Sequence, residues 1–314
     1  MITAILLGAC SSPGSPPGPA KDEAPVDRSN WPSEVPTSGL VKGLELPLES
    51  YLPSYANQVA VDTALRTLQT RCMSEYGLTA VDLPRPGANP PPYSNALSIE
   101  RRYGISDRAQ ARKYGYGLPK ELTGSLVSVE EGLSGVEVEV LTGRKKTEFT
   151  PPEGTKGGVG HFGATPEPAH AEHNGKKLHE GGCAGWSKRR LKVNEGDEGF
   201  VSGLASTSLS ESRPLKPVEQ ALKSWSACMK DKGREAADPY RATEQGYADG
   251  DGTTKNAIEL ALDDIDCKEQ TRLIEVWFKE ESAVQKRLIE QNKDQLAAVK
   301  KRMGEVLAAA KAVK

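Results

Sequence analysis

Cysteine is the residue type whose number and spacing in this chain most directly predict chemistry. The sequence has five cysteines, and one of them, Cys10, ends a short apolar run at the beginning of the chain. The Cys-x-x-Cys spacing of redox-active thiols does not occur, and an even number of remaining cysteines in an exported chain indicates structural disulfides. The alternative is four buried thiols in a reduced protein. We expect two disulfides among Cys72, Cys183, Cys228 and Cys267.

A repeated motif favours one of the three possible pairings. Cys-Met-x-x-x-Gly occurs in "LQTRCMSEYGL" (68–78) and again in "WSACMKDKGR" (225–234), and apolar residues at helical spacing precede both copies. Gly77 and Gly233 then stand where a glycine commonly ends a helix. Each copy is followed by one further cysteine at the start of a basic stretch, so we interpret the chain as two diverged halves. The predicted pairs are Cys72–Cys183 and Cys228–Cys267.

All four histidines fall within one segment, together with acidic residues and a cysteine. Imidazole, carboxylate and thiolate groups are ligands of zinc and copper, so the cluster is a candidate metal site. The side chains lack the paired spacing that a regular element would give them, and the cysteine is assigned to a disulfide. We therefore expect a solvated polar loop without a metal. The residues concerned are His161, His170, His173, His179, Glu172, Glu180 and Cys183.

Two further motifs resemble ligand-binding loops but lack the context that such loops need. "GVGHFG" (158–163) matches the Gly-x-Gly-x-x-Gly fingerprint of nucleotide-binding turns, yet no strand and helix pattern flanks it. In "YADGDGTTKNAIE" (247–259), a calcium loop starting at Asp249 would need glycine at its sixth position and glutamate at its twelfth, where Thr254 and Leu260 stand. A turn in which Thr253 or Thr254 caps a helix explains the stretch. Gly-x-Ser-x-Gly, Ser-x-x-Lys and His-Glu-x-x-His are absent from the sequence. The sequence therefore predicts no cofactor and no catalytic residue.

The beginning of the chain resembles the signal of bacterial lipoproteins. Residues 1–9 supply a short apolar run, and Leu7-Gly8-Ala9-Cys10 matches the lipobox, whose cysteine receives a diacylglycerol and becomes the N-terminus after cleavage. No Lys or Arg precedes Cys10, so either the chain starts upstream or the match is coincidental. Residues 10–42 are rich in Pro, Ser and Gly, and we expect them to form a disordered tether behind a lipid-anchored Cys10.

These features together resemble a family of uncharacterised actinobacterial secreted lipoproteins. The resemblance rests on the lipobox, the tether, both Cys-Met-x-x-x-Gly motifs, "RRYGISDRAQARKYGYG" (101–117) and "GGCAGWSKRRL" (181–191), and it covers most of residues 45–300. It implies an extracytoplasmic protein, lipid-anchored on the outer face of the cytoplasmic membrane, and it implies no particular chemistry.

Composition excludes some classes of partner. Among 314 residues, 41 Lys and Arg balance 43 Asp and Glu, so the chain lacks the basic surface that nucleic acid requires. No apolar run after Cys10 approaches the ~20 residues of a membrane-spanning helix. With 31 Gly, 22 Pro and 5% aromatic residues, we expect many loops around a modest core.

The predicted fold is mainly α, with two helical halves that each contain one disulfide. The halves are residues 43–195 and 196–314, and the first contains a long Gly-rich loop over 150–182. A short helix is predicted over 106–114, begun at Ser106 or Asp107, because these residues are good N-caps. Residues 128–141 fit a helix started by "SVEE", although "VEVEV" within them also fits a strand.

The C-terminal region contains few residues that break helices. From Thr254 to Val313 there is one glycine and no proline, which predicts one long amphipathic helix, straight or kinked. In this interpretation the C-terminal end of the helix extends beyond its neighbours and is exposed to solvent. We therefore expect deletion of residues 296–314 to remove little of the core.

The expected function is that of a non-enzymatic lipoprotein, a binding or accessory subunit at the cell envelope. Its expected partners are the membrane, through the lipid on Cys10, and an envelope protein, through the C-terminal helix. The alternative is a small-ligand or glycan binder in which Tyr103, Tyr114 and Tyr116 offer ring faces for stacking. An envelope hydrolase is the third and least favoured hypothesis.

Overall fold

A computed structural model describes residues 25–91, 97–118, 132–146 and 164–314 of the chain. The structure is mainly helical, with 60% of residues in helices and 4% in strands, as the sequence predicted. A short 3-10 helix, Pro47–Tyr51, precedes the α-helices. Eleven α-helices lie within the described ranges: α1 (Tyr55–Glu75), α2 (Ile99–Arg102), α3 (Arg108–Tyr114), α4 (Gly135–Thr142), α5 (Gly182–Leu191), α6 (Glu195–Ser212), α7 (Lys216–Asp231), α8 (Pro239–Gly246), α9 (Lys255–Thr271), α10 (Leu273–Gln291) and α11 (Lys293–Lys311).

Local capping signals place several helix ends where the sequence predicts them. Asp107 caps α3 by accepting hydrogen bonds from two backbone amides of its first turn, and Thr254 caps α9 by accepting one, from the amide of Ala257. Gly77 and Gly233 follow α1 and α7 with positive φ. The next amide in each case donates to the carbonyl of the methionine in the motif, at 3.1 and 2.9 Å. Both Cys-Met-x-x-x-Gly copies therefore end a helix by the same hydrogen-bonding pattern.

The helix predicted over 128–141 begins later than expected. The described part is α4, which starts at Gly135, and "VEVEV" is helical. Its capping box is formed by Ser134 and Glu137, whereas the "SVEE" predicted to start the helix lies outside the described residues. The helix interpretation of this stretch is confirmed for the part that the structure describes.

The described part of the predicted loop over 150–182 contains short strands. β2 (Ala164–Pro168) pairs antiparallel with β1 (Arg144–Lys146), and β3 (Glu172–His173) pairs with β4 (Lys176–Lys177). The β3–β4 connection is Asn174-Gly175, in which both residues have positive φ. Asn-Gly is the preferred two-residue hairpin turn, so a sequence signal for this hairpin was present.

The C-terminal region is three helices and not one. The helix is interrupted at Arg272, which has left-handed backbone angles, and again at Asn292. The changes of direction at these two residues allow α10 to pack on α6 and α7, and α11 to pack on α1. Because burying apolar faces against different neighbours requires a change of direction, packing overrides a stretch that has good local helix propensity.

The buried residues form three clusters, and the C-terminal helix contributes to them. The largest cluster combines residues 41–52 and 97–116 with helices α6 to α11, and the second surrounds Cys72 and Cys183. Residues from both predicted halves therefore share one core, although the domain limits themselves stay predictions. Leu296, Val299 and Ala310 of α11 are buried, so the expectation that residues 296–314 contribute little core is wrong.

Candidate functional site

Each of the two Cys-Met-x-x-x-Gly motifs lies at the end of a helix, and its cysteine forms a disulfide with a helix later in the chain. Cys72, in the last turn of α1, is bonded to Cys183, in the first turn of α5, with 5.6 Å between the Cα atoms. Cys228 of α7 is bonded to Cys267 of α9, with 5.7 Å between the Cα atoms. Both predicted pairs are confirmed. Cys10 lies outside the described residues.

Arg102, in the segment 101–117, forms a buried ion pair in the core with Glu281 of α10. Arg102 Nε donates to Glu281 Oε1 and Oε2 at 2.9 and 3.1 Å, and the Glu281 side chain is fully buried. Tyr103 Oη and Ser208 Oγ each donate to the same carboxylate at 2.8 Å. Burial alone lowers the pKa of Arg102, but the hydrogen bond and charge of Glu281 outweigh burial and raise it. The Arg102 guanidinium therefore stays charged inside the core, where the Glu281 carboxylate is its hydrogen-bond acceptor.

A second buried network lies around Asp264 of α9. Its carboxylate accepts hydrogen bonds from Tyr116 Oη at 3.1 Å, from Trp225 Nε1 at 3.0 Å and from Lys268 Nζ at 3.0 Å. Lys268 Nζ also donates to the Ile105 carbonyl at 2.7 Å. Burial raises the pKa of Asp264 and lowers that of Lys268. The geometry is that of a structural ion pair, because the donors and acceptors are occupied by protein groups.

Gly104 shows why this segment has the sequence Arg-Arg-Tyr-Gly. Its φ is +80°, and a Cβ atom there would lie 2.7 Å from Lys268 Nζ and 2.9 Å from Pro239 Cβ. The close approach allows the lysine to reach the Ile105 carbonyl. Segment 101–117 is thus built to hold two buried charge networks.

The tyrosines of this segment do not form the predicted stacking surface. Tyr103 and Tyr116 are fully buried, so neither ring offers an exposed face to a ligand. Tyr114 is half-buried, with Lys113 Nζ 4.8 Å from its ring centre. Arg101 donates to the carbonyls of Tyr116 and Gly117 at 2.9 and 3.1 Å, which uses its guanidinium within the protein.

The histidines are not gathered into a metal site in the described residues. His170 Nδ1 lies 2.6 Å from a carboxylate oxygen of Glu139, and the His179 ring stacks on Trp186. His161 and the "GVGHFG" motif lie outside the described residues. Within the described part of the chain, no group of three or more His, Cys, Asp or Glu side chains is arranged to hold a metal ion. None of the helices described there is long and apolar enough to cross a bilayer.

A cleft between α1 and α11 has the volume of a small-ligand site. It encloses about 390 Å³, within the range of about 300–1,000 Å³ that is typical of ligand pockets. Sequence reasoning identified apolar spacing in α11 but not this cleft, because spacing does not show which apolar face a neighbour leaves uncovered. The apolar side chains that α1 and α11 contribute to its lining are Val61, Leu65, Val299, Met303, Val306 and Leu307.

The charges in this cleft are unbalanced. It is lined by four carboxylates and two cationic side chains. Arg302 binds Asp197 through two hydrogen bonds of 2.7 and 2.6 Å, and Lys188 pairs with Glu195. Two carboxylates remain, those of Asp62 and Glu198.

A smaller cleft lies beside Trp31 and encloses about 280 Å³. Two of its charged side chains, Arg101 and Asp107, are already bonded to the protein, the first to backbone carbonyls and the second to helix α3 and Ser38. The α1–α11 cleft is therefore the better candidate for binding a ligand.

Comparison with protein-family models, curated proteins and solved structures found no match to this chain.

Proposed function

We propose that the protein is a non-enzymatic extracytoplasmic lipoprotein that acts as a binding or accessory subunit at the cell envelope. The observation that carries this proposal is the pairing of Cys72 with Cys183 and of Cys228 with Cys267. Stable structural disulfides are typical of chains that fold in an oxidising compartment and are rare in the cytosol.

The disulfides use the four cysteines other than Cys10, which supports a separate role for that residue. Cys10 is the cysteine of the lipobox match, and a Pro-, Ser- and Gly-rich stretch follows it. A lipid on Cys10 would hold the protein at the outer face of the cytoplasmic membrane. One acyl anchor binds reversibly and two or more bind stably, so the diacylglycerol of a lipoprotein is suited to this role.

The contacts of the buried carboxyl groups support the non-enzymatic part of this proposal. Glu281 and Asp264 are each surrounded by protein donors. A general acid or base needs to reach a substrate, whereas each of these carboxyl groups faces its own protein donors within the core. An envelope protein would contact the exposed side of α11, whose opposite side packs on α1.

A second candidate function is the same lipoprotein as a binder of a small ligand. The α1–α11 cleft favours this second function. The cleft takes the place of the tyrosines of segment 101–117 as the candidate binding surface. A binding role of this kind and an accessory role are compatible, because the cleft and the exposed side of α11 are different surfaces.

Detergent partition of the protein from its native host tests the anchor. We expect the wild-type protein in the detergent phase with a thioether-linked diacylglycerol on Cys10, and Cys10→Ala in the aqueous phase. Ser11→Ala, which alters the neighbouring residue, is the matched control and should partition like the wild type. If Cys10→Ala fractionates unchanged, or if thiol labelling finds the four other cysteines reduced, the proposal is wrong.

A further inference from the structure

We propose that the cleft between α1 and α11 binds a small organic cation that carries an apolar chain. This inference names the class of ligand for the binding role and so rests on the proposed function. Two independent features of the cleft carry it, an apolar wall that the core covers only in part and an excess of negative charge.

The apolar wall consists of side chains that the core leaves uncovered. Met303, Val306 and Leu307 of α11 are half-buried, and they belong to none of the three buried clusters. Val61 and Leu65 of α1 line the same cleft with the part of their surface that does not pack on the third buried cluster. Apolar surface of this kind gains free energy when an apolar chain removes it from water.

The excess charge lies beside this wall. Asp62 accepts a hydrogen bond of 3.0 Å from Gln58, one turn earlier on α1. Within the described residues, no Lys or Arg forms an ion pair with Asp62 or Glu198, whereas Asp197 and Glu195 are paired. The neutral partner Gln58 leaves the charge of Asp62 without a counter-ion.

The environment of Asp62 is unfavourable for its charged form when the cleft contains only solvent. Burial raises the pKa of Asp62, the hydrogen bond from Gln58 opposes this, and the nearby charge of Glu198 raises the pKa further. A cation between the two carboxylates would stabilise both charges. An anionic ligand would add a third negative charge, and the cleft therefore discriminates against it.

The size of the cleft decides between a small ligand and a peptide. A volume of about 390 Å³ is near the lower limit for ligand pockets. An amine with a short alkyl chain places its ammonium group at the carboxylates and its chain along α11. A helical segment of another protein requires a longer groove.

Three probes with the same carbon chain separate the charge from the apolar contact. Octylammonium, 1-octanol and octanoate are titrated calorimetrically into the full chain carrying Cys10→Ser, with both disulfides formed, at neutral pH and low salt. We expect octylammonium to bind about tenfold more tightly than 1-octanol, and octanoate to show no saturable binding. Equal binding of octanoate and octylammonium, or no binding of octylammonium, overturns the inference.

Variants then locate the two contacts. Asp62→Asn keeps the size and the hydrogen-bonding capacity of the side chain, so we expect it to lower octylammonium affinity about tenfold and to leave 1-octanol unchanged. Asp231→Asn, at an exposed position outside the cleft, is the matched control. Leu307→Ala should weaken both ligands. Unchanged octylammonium binding in Asp62→Asn overturns the inference.

Glu198→Gln provides the same test at the second, exposed carboxylate of the cleft. We expect it to weaken octylammonium and to leave 1-octanol unchanged, and an unchanged affinity for octylammonium counts against the inference. The outcome is independent of the anchor. A chain that binds octylammonium without being lipidated refutes only the proposed function, and a lipidated chain that binds none of the probes refutes only this inference.

Discussion

Glu281 is the residue whose replacement tests the core most directly. Its carboxylate has no exposed surface and holds Arg102, Tyr103 and Ser208 by hydrogen bonds. In Glu281→Ala the guanidinium of Arg102 stays in the protein without a counter-ion. The Arg102 side chain is only 8% exposed, so water cannot replace the lost carboxylate without opening the structure.

The magnitude follows from the number of partners that lose their acceptor. Removing one member of a buried ion pair costs about 3–5 kcal/mol, and a buried hydroxyl that loses its acceptor costs about 1 kcal/mol or more. Ser208 keeps a second acceptor, the Ala205 carbonyl at 2.8 Å, so Tyr103 supplies most of the second cost. We expect the free energy of unfolding to fall by about 4–6 kcal/mol, a large part of the roughly 5–15 kcal/mol typical of a domain.

Denaturant unfolding of the oxidised full chain, followed by tryptophan fluorescence, measures this loss. Trp277 is a suitable reporter because its ring centre lies 5.3 Å from that of Tyr103. Glu275→Gln removes an exposed ion pair with Arg272 on the same helix, and we expect a loss of no more than about 0.5 kcal/mol. If Glu281→Ala costs as little as this control, the carboxylate is not buried among these partners and the reasoning is refuted.

Three further predictions concern other parts of the fold. Gly104→Ala should lower the free energy of unfolding by about 2 kcal/mol, because its Cβ would clash and its φ is positive, whereas Gly304→Ala, with open space around it, should be neutral or stabilising in the same denaturation assay. Replacing both Cys72 and Cys183 by Ser should cost about 2–5 kcal/mol, and a loss within error would contradict a disulfide that spans 111 residues. Asp62→Asn should raise the melting temperature at neutral pH: a carboxyl whose folded pKa is raised stabilises the fold below its unfolded pKa of about 3.9 and loses that contribution as pH rises through the folded pKa. The difference between variant and wild type should therefore shrink below about pH 4, and a constant difference across pH would contradict the assigned cause.

The prediction for Asp62 also connects stability with function. A carboxylate that costs stability at neutral pH is typical of a binding site, because selection for a ligand retains groups that folding alone would not. Ala64 and Leu68 of the same helix are instead buried in a cluster with Leu191 and Ala310.

The sequence by itself determined the features that depend on neighbouring residues. Asp107 and Thr254 start helices, and Gly77 and Gly233 end them, because each acts on backbone groups within one turn. The disulfide pairing was also predictable, since a repeated motif marked corresponding positions in the two halves. The Asn174-Gly175 hairpin belongs to the same class and was available as a local signal.

Only the tertiary structure decided the features that depend on distant contacts. Tyr103 lies against Glu281, 178 residues further along the chain, and Tyr116 against Asp264, 148 residues further. The helix breaks at Arg272 and Asn292 arise because α10 and α11 pack on different neighbours. The α1–α11 cleft is what this packing leaves uncovered. The free energy gained by burying apolar surface is proportional to the area that the whole molecule removes from water. Neither the direction of a helix nor an uncovered face is therefore encoded in a local stretch of residues.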